Sequence, residues 1–192
     1  RLNDNNFSGV LPASLSALTG LQNLYVDNNH FTGTFPDFLL HQKSLQYLSL
    51  GNNNFTGTIP CELTNLVNLF SINLNDNNFH GTFPPGLLQL PSLYSLEVAN
   101  NFFSGQLPRT LNVAPSLNSL DLGGNGFTGS LPDFSRWNVS CVEINLSGNN
   151  FTGLIPDSIS TLTTLEGIFI NNNQLTGTIP SAIFTMTNPK YL

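Results

Sequence analysis

Apolar and polar positions recur along the chain with a period that never slips. With Leu21 as position 1 of a repeat, Leu21, Leu45, Leu69, Leu93, Leu117, Cys141 and Leu165 follow one another at intervals of 24 residues. Position 4 reads Leu24, Leu48, Ile72, Leu96, Leu120, Ile144, Ile168 and Leu192, and position 6 reads Leu2, Val26, Leu50, Leu74, Val98, Leu122, Leu146 and Ile170. Apolar residues two apart predict a short strand with one buried face. Further along each repeat, Phe7, Phe31, Phe55, Phe79, Phe103, Phe127 and Phe151 share position 11, where the eighth copy has Leu175. Stacked rings of this kind predict a continuous spine, and aliphatic residues at positions 19 and 22, such as Leu63 and Leu66, close the coil on its far side.

Polar punctuation is equally regular. Position 9 is Asn in every copy: Asn5, Asn29, Asn53, Asn77, Asn101, Asn125, Asn149 and Asn173. An amide carries both donors and an acceptor, so a stack of them can satisfy backbone groups where each coil leaves its strand. Position 13 is always Gly, from Gly9 to Gly177, and position 16 always Pro, from Pro12 to Pro180. Gly allows a tight bend, while Pro fixes φ and limits further strand pairing. Each coil offers about six or seven inward apolar side chains, worth roughly 1.5 to 3 kcal/mol apiece when buried. Only the neighbouring coils cover them, so stability is expected to be nearest-neighbour in character. Eight periods fill 192 residues as one uninterrupted domain, residues 1–192. At roughly 4.8 Å per strand step the stack would be about 40 Å long.

The pattern L-x-x-L-x-L-x-x-N-x-F-x-G-x-I/L-P-x-x-L-x-x-L resembles the plant-type extracellular leucine-rich repeat of receptor-like kinases, receptor-like proteins and polygalacturonase-inhibiting proteins. The resemblance covers the whole chain. It implies a right-handed solenoid with a parallel concave β-sheet, a second short sheet after the T-G-x-I-P stretch, and a convex side of turns or short 3₁₀ segments. It also implies a non-catalytic, extracellular role at the cell surface or cell wall. The paired cysteines that the family's caps normally carry have no counterpart here, so the expectation is either an internal part of a longer solenoid or ends protected in another way. Cys61 and Cys141 lie at positions 17 and 1 of coils more than three apart. Roughly 15 Å would separate them, too far for a disulfide. The coil from Leu117 departs most: Ser135 and Asn138 stand at positions 19 and 22, and Phe134 and Trp137 beside them are expected to refill the core.

Composition narrows the chemistry. Only 8% of residues are charged, and the net charge is −6 with five basic residues, which argues against a nucleic-acid partner. No apolar run approaches the roughly 20 residues that cross a bilayer, so any membrane anchor is expected outside this stretch. Catalysis needs convergent acids, bases or nucleophiles. His30, His41 and His80 form no ligand cluster, and the repeated glycines are explained by turns rather than by phosphate binding. We therefore expect no enzyme, no metal and no cofactor other than N-linked glycan.

Binding remains, and positions 3, 5, 7 and 8 are expected on the concave surface or its edge. Tyr25 and Tyr47 on adjacent coils are candidates for an aromatic anchor, with Asn73 next to them. Glu97, Asp121 and Glu143 are candidates for an acidic strip beyond, which would suit a basic or sugar-bearing partner. N-x-S/T sequons occur at Asn6, Asn54, Asn138, Asn145 and Asn150, and the first, second and last of these share position 10. The leading expectation is a scaffold that takes a protein, peptide or glycan ligand on its concave face, of receptor-ectodomain or inhibitor type. The alternative is a structural subunit: Leu192 is position 4 and Arg1 is position 5, so copies placed end to end would continue the register into a glycosylated filament.

Overall fold

The computed structural model describes residues 1–109, 112–137 and 140–191. Both sheets are parallel throughout. The concave sheet has seven strands, Asn23–Tyr25, Tyr47–Ser49, Ser71–Asn73, Ser95–Glu97, Ser119–Asp121, Glu143–Asn145 and Gly167–Phe169. Their register is the period itself, Leu24 beside Leu48 and Leu48 beside Ile72. The second sheet, on the flank of the solenoid, has eight strands, Ser8–Val10, His30–Thr34, Asn54–Gly57, Asn78–Thr82, Phe102–Gln106, Gly126–Ser130, Asn150–Gly153 and Gln174–Leu175. Here Thr32 lies beside Asn54 and Thr34 beside Thr56, an offset of 22 rather than 24.

Between the flank sheet and the next concave strand the chain crosses the convex side in short 3₁₀ segments. Pro12, Pro36, Pro60, Pro84, Pro156 and Pro180 each stand at the N-cap of one of them. A proline has no N–H to leave unsatisfied there, and its extended backbone ends the flank strand cleanly. The exception is Phe134–Arg136, where Asp133 is the cap and accepts a bond from the Ser135 N–H.

The core is one continuous column. Leu39, Leu63 and Leu87 fill it from the convex side, Leu48, Ile72 and Leu96 from the concave strands, and all are buried. Phe7, Phe31, Phe55, Phe79 and Phe103 stack at centroid distances of 6.1 to 6.5 Å. Phe127 and Phe151 continue at 6.2 Å. Between the two runs Phe83 stands edge-on to both Phe103 and Phe127. The expected spine is therefore present, with one interlocking ring that the repeat pattern does not show.

The Asn ladder is built as its chemistry demands. Asn77 donates through Nδ2 to the carbonyls of Leu50, Leu74 and Asn75, and its Oδ1 accepts the Phe55 N–H. The same four contacts recur at Asn29, Asn53, Asn101, Asn125, Asn149 and Asn173, so each amide ties its own turn to the coil before. Asn5 bonds the Leu2 and Asn3 carbonyls.

Two features of the turn go beyond the sequence reading. Position 8 is left-handed: Asp4, Asn28, Asn52, Asp76, Asn100 and Asn172 have φ between 50° and 57°, and Gly124 and Gly148 occupy the same place. Asn, Asp and Gly are the residues that tolerate this conformation. At position 13 the glycine does more than bend. A Cβ on Gly81 would meet the Thr58 methyl at 2.9 Å, and one on Gly57 would meet the Thr34 methyl at 3.0 Å. Val10, Thr34, Thr58, Thr82, Gln106 and Leu154, all at position 14, lie in the same way over the glycine of the next coil, whereas Ser130 leaves Gly153 uncovered.

In the departing coil Phe134 and Trp137 are buried and pack edge-on at 4.9 Å, while Ser135 is exposed. They refill the core one residue early, at positions 18 and 21. Asn138, and the terminal Leu192, lie outside the described residues. Cys61 is exposed and Cys141 buried, both as free thiols. Burial pushes the Cys141 thiol up to about 12, and its Sγ lies within hydrogen-bond distance of the Asn118 and Glu143 carbonyls.

Candidate functional site

Strand alternation turns positions 4 and 6 into the core and positions 3 and 5 outward. Tyr25 and Tyr47 consequently meet on the concave surface with ring centroids 6.5 Å apart. The row does not stop there. Phe70 lies 5.5 Å from Tyr47, and Tyr94 stacks on Phe70 at 5.0 Å with the planes 5° apart. Phe70 and Tyr94 sit at position 2, just before their strands, so the row drifts diagonally across four coils. Both are exposed, and the Arg1 guanidinium covers the other end, 4.9 Å above the Tyr25 ring. Sequence reasoning missed Phe70 and Tyr94, although their 24-residue spacing next to Tyr47 was a usable signal.

The acidic strip begins where the aromatic row ends. Glu97 is held by the Ser95 hydroxyl at 3.1 Å and the Asn75 amide at 3.2 Å. Burial raises its pKa, against the pull of the Ser95 hydrogen bond, and the charges of Asp121 and Glu143 raise it further. Asp121 accepts the Gly123 N–H at 2.9 Å. Its pKa is also raised, chiefly by burial, with the Gly123 and Asn145 hydrogen bonds opposing and the Asp76 charge adding. Among the described residues the single ion pair, Lys190 with Glu166 at 2.8 Å, lies elsewhere. Asp121 and Glu143 thus bear on Glu97 with like charge, which a cation beside it would relieve. Asn73 has a more local part: its Oδ1 accepts the Asn75 N–H, and the amide lies over Gly51.

The proposed glycan acceptors divide between the sheets. Asn6, Asn54 and Asn150 are exposed on the flank, whereas Asn145 is half-buried on the concave strand Glu143–Asn145. Among the described residues no three His, Cys, Asp or Glu side chains converge on a common point, and no helix is long and apolar enough to cross a membrane.

Leucine-rich-repeat family models match residues 19–79, and residues 116–137, 140–162 and 164–186. The chain belongs to the leucine-rich-repeat family. Its repeats are of the plant type, as its likeness to solved plant receptor ectodomains shows. The plant peptide hormone receptor RGFR1, solved in complex with RGF2, matches with TM-score 0.91 and 30% identity over 98% of this chain and 30% of that one. The ectodomain of GASSHO1/SCHENGEN3 from Arabidopsis thaliana, in complex with CASPARIAN STRIP INTEGRITY FACTOR 2, gives 0.91 and 32% over 98% of this chain and 23% of that one. The Arabidopsis receptor kinase HAESA, in complex with the peptide hormone IDA and the co-receptor SERK1, gives 0.87 and 33% over 94% and 30%. This leucine-rich-repeat chain therefore spans less than a third of the length of these receptors. No curated protein sequence matches it.

Proposed function

We propose that this chain is the recognition part of an extracellular, non-catalytic receptor-type protein, and that it binds an extended peptide segment along the concave sheet. The observation that carries the reading is the continuous row of Tyr25, Tyr47, Phe70 and Tyr94 running into the unpaired carboxylates of Glu97 and Asp121. Apolar side chains of the ligand lie against the rings, and a Lys or Arg lies over the acids. Peptide suits the row better than sugar. Phe70 and Tyr94 turn one face of each ring to the other, which takes those two faces away from a stacking pyranose. Support also comes from the solved receptors, several of which were captured with peptides. The low charge and the sequons fit a secreted glycoprotein.

A random peptide library displayed on phage and selected against the secreted chain tests the reading. Winning sequences should pair an aromatic or aliphatic stretch with a basic residue, and should be lost on a Y47A/F70A counter-target. Winners without that pairing, or winners that hold the counter-target equally well, would overturn it. Growth of fibres in place of binding-competent particles would favour the end-to-end filament.

A further inference from the structure

We propose that the flank sheet is the glycan-bearing face of the molecule, N-glycosylated at Asn6, Asn54 and Asn150, while the Asn145 sequon on the concave sheet stays unmodified. The inference stands apart from the peptide reading, since it concerns the other sheet.

Side chains two apart on a strand share a face. Asn54 and Thr56 therefore both point outward from the strand Asn54–Gly57, as do Asn150 and Thr152 from Asn150–Gly153, and all four are exposed. Thr56 and Thr152 donate to the carbonyls of Gly33 and Gly129 on the preceding coil rather than to the acceptor amides. The amide oxygens of Asn6 and Asn150 meet His30 and Gln174 at 2.8 and 3.3 Å, so where these acceptors are engaged it is through oxygen rather than nitrogen. The nitrogen is what the modification uses. It attacks the anomeric carbon of a lipid-diphosphate-linked oligosaccharide; the carbon–nitrogen bond forms, the carbon–oxygen bond to phosphate breaks, and the amide loses one proton as the lipid diphosphate leaves.

Asn145 offers the opposite geometry. Its Oδ1 accepts both the N–H and the hydroxyl of Ser147, at 3.0 and 2.7 Å, so the hydroxyl two residues on is folded back onto the acceptor. Its Nδ2 lies over Gly123 of the preceding coil, only 2.8 Å from where a Cβ there would be. A sugar on that nitrogen would have to fit against the Gly123 backbone of the neighbouring coil. Asn78 is a built-in control. It occupies the same flank position as Asn54 and Asn150, but His80 replaces the hydroxyl residue two places on.

The test uses residues 1–192 secreted from yeast, with glycan released enzymatically in heavy-oxygen water so that each formerly modified Asn appears as labelled Asp on peptide mapping. Label is expected at Asn6, Asn54 and Asn150 and not at Asn145, and H80T should create a new labelled site at Asn78. N145Q should leave gel mobility unchanged. Unlabelled Asn54 and Asn150 in folded, secreted material, label at Asn145 equal to theirs, or an H80T protein unlabelled at Asn78 would each overturn the assignment.

Discussion

The two sheets are made by the same repeat and use it in opposite ways. Outward residues of the concave strands change from coil to coil: at position 5 they are Tyr25, Ser49, Asn73, Glu97, Asp121, Asn145 and Phe169. On the flank, position 12 reads Ser8, Thr32, Thr56, His80, Ser104, Thr128, Thr152 and Thr176, a hydroxyl almost throughout. Packing accounts for the contrast. The position-12 hydroxyls bond the previous coil, Thr56 to the Gly33 carbonyl, Thr128 to Gly105, Thr152 to Gly129 and Thr176 to Gly153. Those residues are therefore part of the stacking interface, whereas most concave side chains project from it. Recognition chemistry accumulates where stacking leaves the residue free.

The largest effect should come from the ladder that both sheets share. Asn77→Ala removes one buried donor shared by three carbonyls and leaves the Phe55 N–H without its acceptor, so it should cost on the order of 3 kcal/mol in denaturant unfolding. Asn73→Ala, four residues earlier on the concave surface, should cost well under about 1 kcal/mol. Equal losses would abolish the distinction. On the flank, Gly81→Val combines a φ of 84° with the contact on Thr58 and should cost about 2 kcal/mol, compared with almost nothing for Ser71→Val on the concave side. Tyr47→Ala and Phe70→Ala should do the reverse, leaving the unfolding midpoint nearly unchanged while weakening a selected peptide about tenfold or more.

Smaller effects follow from charge. Glu97 and Asp121 have folded-state pKa values above their ordinary ones, so the folded protein binds their protons more readily than the unfolded chain. Their contribution to stability is fully present below the ordinary carboxylate range and is lost as pH rises through the raised folded values. E97Q/D121N should flatten that stretch of the stability profile. Binding of a basic peptide should move the other way, fading as pH falls through the same raised values, because protonation removes the charge it reads. The least effect is expected at Lys190, whose ion pair with Glu166 is well exposed; Lys190→Ala should change stability by less than about 0.5 kcal/mol.

Much of this architecture was legible because a 24-residue period with an invariant Asn, Gly and Pro leaves few ways to stack a coil. The ladder, the Phe spine, the free cysteines and the rescue by Phe134 and Trp137 all follow from residue type and spacing. What escaped is relational. One period serves both sheets, so periodicity alone does not reveal that one pairs at 24 and the other at 22. The left-handed position 8 was visible as a run of Asn, Asp and Gly, but those residues also suit an exposed concave edge, which was the expectation for them. Phe70 and Tyr94 were passed over because position 2 lies outside the strand, and only the diagonal drift of the rings brings them into line with Tyr47.

The division between the sheets is tested most directly by one peptide from the library selection, titrated against three proteins: the unchanged chain, Y47A/F70A on the concave side, and T56A/T152A on the flank. The account predicts a loss of about tenfold or more for the concave pair and essentially unchanged affinity for the flank pair. A peptide that holds the concave variant and releases the flank variant would place recognition on the wrong sheet and contradict it.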